Sequence, residues 1–134
     1  MVWTEQSARL FAEEWIDSWN AHDLNRILSH YSNDFTMTSP FILKLFPESG
    51  GSMSGKSSVA DYWMKALERY PDLHFVLSEV MFSINSLCIV YTSVDNLRAV
   101  EWLYFEEAEE SNEKRLLVTK ASGHYSSFPA TAPS

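Results

Sequence analysis

Ala8, Phe11, Ala12, Trp15, Ile16 and Trp19 recur at spacings of three and four, while Glu5, Arg9, Glu13 and Asp17 fall off that stripe. The spacing predicts an amphipathic helix that stops at Asn20-Ala21-His22. Asp23 is placed to cap a second, shorter helix with Leu24, Ile27, Leu28 and Tyr31 on its buried side. Phe35 to Thr38 read as a short strand closed by Pro40. Residues 43–55, rich in Gly and Ser with Pro47 inside, read as an irregular loop able to cover a cavity. Val59, Tyr62, Trp63, Ala66, Leu67 and Tyr70 repeat the helical spacing, and Pro71 ends this third helix.

Beyond it the period changes from 3.6 to 2. Runs 74–84, 87–94, 98–105 and 115–125 are rich in β-branched and aromatic residues, with turns expected at Asn85-Ser86, at Asp95 to Leu97 and in a Glu-rich stretch. Helices first and then an antiparallel meander predict an α+β fold. One domain spans residues 4–125, and the tail 126–134, with Pro129 and Pro133, is expected to be disordered.

Alternation along the strands assigns faces. With a two-residue turn at Asn85-Ser86, Phe82 faces Ile89 and Val80 faces Tyr91. With a turn at 95–97, Tyr91 faces Glu101. One face then carries Val80, Phe82, Ile84, Leu87, Ile89, Tyr91, Ala99, Glu101, Leu103 and Phe105. The other carries Met81, Cys88, Val90, Trp102 and Tyr104. A slip of one residue would exchange the faces. The first face is apolar except for Glu101. An ionised carboxylate cannot remain there unpartnered. Either Glu101 meets Lys120 or Arg98 or a solvated rim, or it faces a cavity, where desolvation raises its pKa and makes it a proton donor.

Composition narrows the classes. The chain has 134 residues, 46% hydrophobic and 14% aromatic, and a net charge of −8 from 18 acidic and 10 basic residues. The aromatic content suits either a tight core or a lined cavity. Glu106, Glu107, Glu109, Glu110 and Glu113 concentrate the acidity in one stretch, read as a solvated hairpin tip. With no basic patch, nucleic acid is not an expected partner. Cys88, the single cysteine, reads as a buried thiol and, with no apolar leader or spanning run, points to a cytoplasmic protein that does not engage a membrane. The four histidines, His22, His30, His74 and His124, show no metal-ligand spacing. His124 with Tyr125 lies where a strand end could reach a cavity mouth.

Trp15-Ile16-Asp17-Ser18-Trp19-Asn20-Ala21-His22-Asp23-Leu24, followed by Tyr31-Ser32-Asn33-Asp34-Phe35, resembles the opening of nuclear-transport-factor-2-like proteins. Gly55-Lys56 before Val59 and Tyr62-Trp63 resembles the start of their third helix. The resemblance runs from about Thr4 to Tyr125 and is nearest to the SnoaL-like group, which includes polyketide cyclases and relatives of ketosteroid isomerase. It implies a cone-shaped, curved antiparallel sheet with three N-terminal helices packed on its concave face around an apolar pocket, and a homodimer formed through the outer sheet face bearing Trp102 and Tyr104.

In ketosteroid isomerases an aspartate before a proline is the base, and a tyrosine and a protonated acid form the oxyanion hole. By resemblance those positions fall on Ser39, Trp15 and Glu101, so only the acid keeps its chemistry. Two functions follow. In one, a small apolar molecule, cyclic ones included, is bound by Trp15, Trp19, Tyr31, Met37, Ser39 and Tyr62, and Glu101 with Tyr91 performs cofactor-independent acid–base chemistry of the isomerase or cyclase kind. In the other, the chain is a non-catalytic dimeric binding or scaffold module.

Overall fold

A computed structural model of the chain describes residues 3–110 and 112–127. Helix α1 (Glu5–Asn20) starts at a reciprocal cap, in which the Thr4 hydroxyl accepts from the Ser7 amide and the Ser7 hydroxyl accepts from the Thr4 amide. Its stripe of Ala8, Ala12, Trp15, Ile16 and Trp19 is buried. Asp23 caps α2 (Leu24–Leu28) by accepting from the Arg26 amide at 3.1 Å. Arg26 returns a two-pronged pair to Glu14 on α1, at 2.6 and 2.9 Å, which fixes the α1–α2 corner. His30 is drawn into that corner, 3.3 Å from Glu14 and edge-on to Phe11, rather than left at the surface.

Strand β1 (Tyr31–Thr38) begins four residues earlier than the pattern predicts, so Tyr31 belongs to a strand and not to the second helix. Pro40 opens a helix instead of only closing a strand. Ser39 accepts from the Phe41 amide at 3.1 Å, and Pro40 takes the first position, where its missing N–H costs nothing. Helix α3 (Pro40–Leu45), a 3₁₀ turn at Pro47–Ser49 and strand β2 (Ser52–Ser54) therefore replace most of the expected irregular loop. Helix α4 (Lys56–Arg69) buries Val59, Tyr62 and Trp63, so the domain has four α-helices among its described residues, not three.

The remaining strands are β3 (Val76–Phe82), β4 (Ser86–Thr92), β5 (Arg98–Glu110) and β6 (Glu113–Tyr125). The sheet order is β2-β1-β6-β5-β4-β3. Pairing is antiparallel except for β1 beside β6, which is parallel, a contact closed by residues about eighty apart in the chain. Both turns keep the expected length but sit one residue earlier, at 84–85 and 94–96. Phe82 faces Leu87, and Ile89 faces Glu101, so each predicted register is off by two residues. An even error preserves the faces. Leu87, Ile89, Tyr91, Ala99, Glu101, Leu103 and Phe105 all lie inside. Ile84 falls in the turn and is exposed. The Glu-rich stretch is strand rather than loop, since β5 runs to Glu110 and pairs Glu109 with Lys114. Cys88 is half-buried on the outer face.

Concave side and helices enclose one aromatic core. Trp15 lies nearly parallel to Phe75, Trp19 stands edge-on to Trp63, and Trp63 contacts both Tyr31 and Phe35. Each such buried tryptophan removes roughly 200 Å² from water, worth on the order of 5 kcal/mol before ordering costs. Among the described residues no helix is long and apolar enough to cross a membrane. The tail from Phe128 onward lies outside the described residues.

Candidate functional site

Glu101 is carried by β5 onto the concave face, opposite Ile89 on one side and Gly123 on the other. It is 3% exposed. Among the described residues no cation reaches it: Arg98 and Lys120 belong to the outer face, where Lys120 lies over the Tyr104 ring. Burial pushes its carboxyl up to about 8, with a hydrogen bond from Tyr91 acting weakly the other way. Glu101 is therefore a neutral acid at pH 7. The Tyr91 hydroxyl stands 3.5 Å from Oε1, a long contact. Tyr91 is paired with Ala99, so it approaches Glu101 diagonally and not from directly opposite.

The acid heads a set of buried hydroxyls. Tyr125 lies within hydrogen-bonding reach of Tyr91 and of Ser39, and Ser39 within reach of Tyr62. Burial raises the phenols of Tyr62, Tyr91 and Tyr125 well above their ordinary value, with the neighbouring Glu101 adding to the shift, so all three stay protonated. Gly123 makes the crowding possible. A Cβ built there would sit 3.2 Å from Ser39 Oγ and 3.5 Å from Glu101 Oε1.

These groups border a cavity of about 50 Å³, room for roughly three to five waters. Of the residues expected to line it, Trp15, Trp19, Met37 and Tyr62 do, together with Glu101 and Tyr91. Tyr31 and Ser39 do not. Tyr31 lies behind the wall, its hydroxyl accepting from Trp15 Nε1 at 3.0 Å. That bond occupies the Trp15 N–H and removes it as a donor to a ligand. Ser39 is turned toward Tyr62 and Tyr125 as the α3 cap. The wall also includes Phe41, Tyr70, Leu73, Phe75 and Val94, which the sequence did not point to, and Tyr125, which it placed with His124 near a cavity mouth. Alternation held a signal for one of them, because Ala121, Gly123 and Tyr125 share a face opposite Leu103, Glu101 and Ala99. His124, one position away, points outward, 2.9 Å from Ser122 Oγ.

Two features of the wall bear on chemistry. Among the described residues it holds one carboxyl and no Lys, Arg or His. The Trp19 indole N–H is buried without a partner. Both favour an uncharged ligand bearing an acceptor. Among the described residues the wall offers donors but no free base, and Ser39, which lies outside it, cannot act as one without a partner to take its proton. No three His, Cys, Asp or Glu side chains converge as a metal site would need among the described residues.

A family model described as the SnoaL-like domain matches residues 12–111. The chain belongs to the SnoaL-like family. A SnoaL-like protein of unknown function from Burkholderia thailandensis is 39% identical over 92% of this chain and 98% of that one, with a TM-score of 0.81. A protein of unknown function with a cystatin-like fold from Methylobium petroleophilum is 16% identical over 95% and 80%, with a TM-score of 0.67. A ketosteroid isomerase-like protein from Erwinia carotovora is 12% identical over 96% and 100%, with a TM-score of 0.60. The last two share the fold alone. No curated protein sequence matches the chain.

Proposed function

We propose that this SnoaL-like chain binds a small, uncharged, mostly apolar molecule in its cavity, and that Glu101 donates a hydrogen bond or a proton to an oxygen on it. The observation that carries this reading is a carboxyl 3% exposed, facing the cavity, with no cation beside it. Desolvation holds it neutral, and a neutral acid is a donor. Tyr91 supports it from one side. Chemistry of the isomerase or cyclase kind would then begin with Glu101 polarising a carbonyl.

Support for the non-catalytic alternative comes from Ser39. A hydroxyl stands where the resemblance places a base, and the cavity as it is admits only a few atoms. On that reading the chain is a ligand-binding module. Under either reading it forms a homodimer through the outer sheet face, where Val76, Met81 and Trp102 are exposed at 54%, 53% and 38%.

The test uses 2-pentanone as a minimal neutral acceptor. Its affinity, followed by tryptophan fluorescence and amide NMR shifts, is expected to fall as pH rises through about 8, because the ionised carboxylate no longer donates. In Glu101→Gln the affinity stays flat with pH. A ¹³C titration that finds the Glu101 carboxyl ionising at 4 to 5, or an affinity independent of pH in the native chain, overturns the acid role.

A further inference from the structure

Outside the cavity lies a second hollow of about 400 Å³, and the two share Tyr70, Leu73, Ser93 and Val94. Those four residues form the boundary between them. The inner space is apolar apart from its donors. The outer one is walled by Arg69, Asp72, His74, Asp95 and Asn96, all exposed.

That boundary is braced from outside. Lys44 Nζ donates to the Tyr70 hydroxyl at 3.2 Å, and the Arg69 guanidinium lies 5.3 Å over the Tyr70 ring. Across from Tyr70, residues 73–75 hang from the end of α1. Asn20 gives its side-chain N–H to the Phe75 carbonyl at 2.9 Å and accepts from the Phe75 amide at 2.6 Å. His22 Nε2 donates to the Leu73 carbonyl at 2.8 Å. The far lip, Val94–Asn96, is a tight turn with Asp95 and Asn96 both at positive φ, closed by the Ser93 amide on the Leu97 carbonyl at 2.7 Å.

We propose that cavity and hollow are two halves of one binding site, and that its ligand is a neutral amphiphile: a short acceptor-bearing head in the cavity and an uncharged hydrogen-bonding tail in the hollow. Size demands the division, since a head of three to five heavy atoms fills the inner space and little ligand remains unless it continues outward. Charge selects the tail. The fixed charges of the hollow are Arg69 against Asp72 and Asp95, on a chain of net charge −8, which disfavours an anion. Arg69, His74 and Asn96 supply donors, and Asp72, Asp95 and Asn96 supply acceptors, the mixture an amide or a hydroxyl group can satisfy. The proposal rests on the cavity reading given above.

Three probes share one ketone head and differ in the tail: 2-pentanone, 4-oxopentanamide and 4-oxopentanoate. By amide NMR titration at pH 6.5, the amide is expected to bind about threefold to tenfold tighter than 2-pentanone, and the carboxylate no tighter than 2-pentanone. Only the tailed probes shift His74, Asp95 and Asn96. Asp72→Lys, at an exposed turn, is expected to improve the carboxylate about threefold relative to 2-pentanone; an unchanged ratio overturns the outer half. Asp95→Asn, which keeps a residue tolerant of positive φ, moves the carboxylate the same way by less. Equal binding of all three probes with shifts confined to the cavity overturns the outer half alone. An absence of any 2-pentanone shift around Glu101 overturns the cavity reading and this proposal together.

Discussion

Replacing Glu101 with Gln should make the protein more stable in alkali while leaving it almost unchanged in acid. In the folded chain the carboxyl ionises near 8, against 4.5 for an unhindered glutamate. The folded state therefore holds a proton that the unfolded state releases. Its contribution to stability is fully present below about pH 4.5 and is lost as pH climbs through about 8. Between pH 5 and pH 9 those two values imply a loss of roughly 4 kcal/mol, a large share of the 5–15 kcal/mol typical of a domain.

Gln is isosteric with the protonated acid and does not titrate, so the variant escapes that loss. Urea melts followed by circular dichroism, run on both proteins at pH 5, 7 and 9, isolate the effect. Other groups cancel in the difference, including Glu14, which Arg26 holds below its ordinary value. Native and variant chains should agree within about 1 kcal/mol at pH 5 and diverge by roughly 4 kcal/mol at pH 9. Parallel stability profiles across this range would mean that Glu101 ionises normally, and the acid argument would fail.

Asn20→Ala removes both bonds to the buried Phe75 backbone; the loss should be about 2 kcal/mol or more, with faster hydrogen exchange at the Phe75 amide. Native-like protection there would separate Asn20 from the rim. Gly123→Val places branched methyls where a Cβ alone already sits 3.2 Å from Ser39 Oγ, and should cost about 1–3 kcal/mol in a urea melt. Stability at or above the native value would show that Ser39 and Glu101 can move apart freely. Trp102→Glu puts a charge on the outer face and should convert a dimer to a monomer in analytical ultracentrifugation; a variant that still dimerises places the interface elsewhere.

Local signals made most of the fold legible. The stripes on α1 and α4, the Asp23 cap and the strand alternation all act within a few residues. Helix α3 escaped notice because Ser39-Pro40 reads equally as the end of a strand and as a cap with Pro in the first turn, and only the following Phe41 and Ile42, both buried, decide it. Both turns lie one residue earlier than expected, which moves each register by two and so left Glu101 on the correct face while shifting its partner from Tyr91 to Ile89. The β1–β6 contact joins distant segments in parallel, so neither strand carries a mark of the other. The cavity wall was half legible for the same reason. Trp15, Trp19 and Tyr62 declare themselves on helices, whereas Phe41 and Tyr70 matter through how α3 meets α4.

The attachment of residues 73–75 to Asn20 and His22 separates two jobs that sheet proteins often combine. Strand pairing secures the framework, and a helix terminus secures the doorway. Residues added to or deleted from the exposed bend at Pro71-Asp72 would reshape the entrance without disturbing a single ladder bond, so related chains can change what they admit at little structural risk.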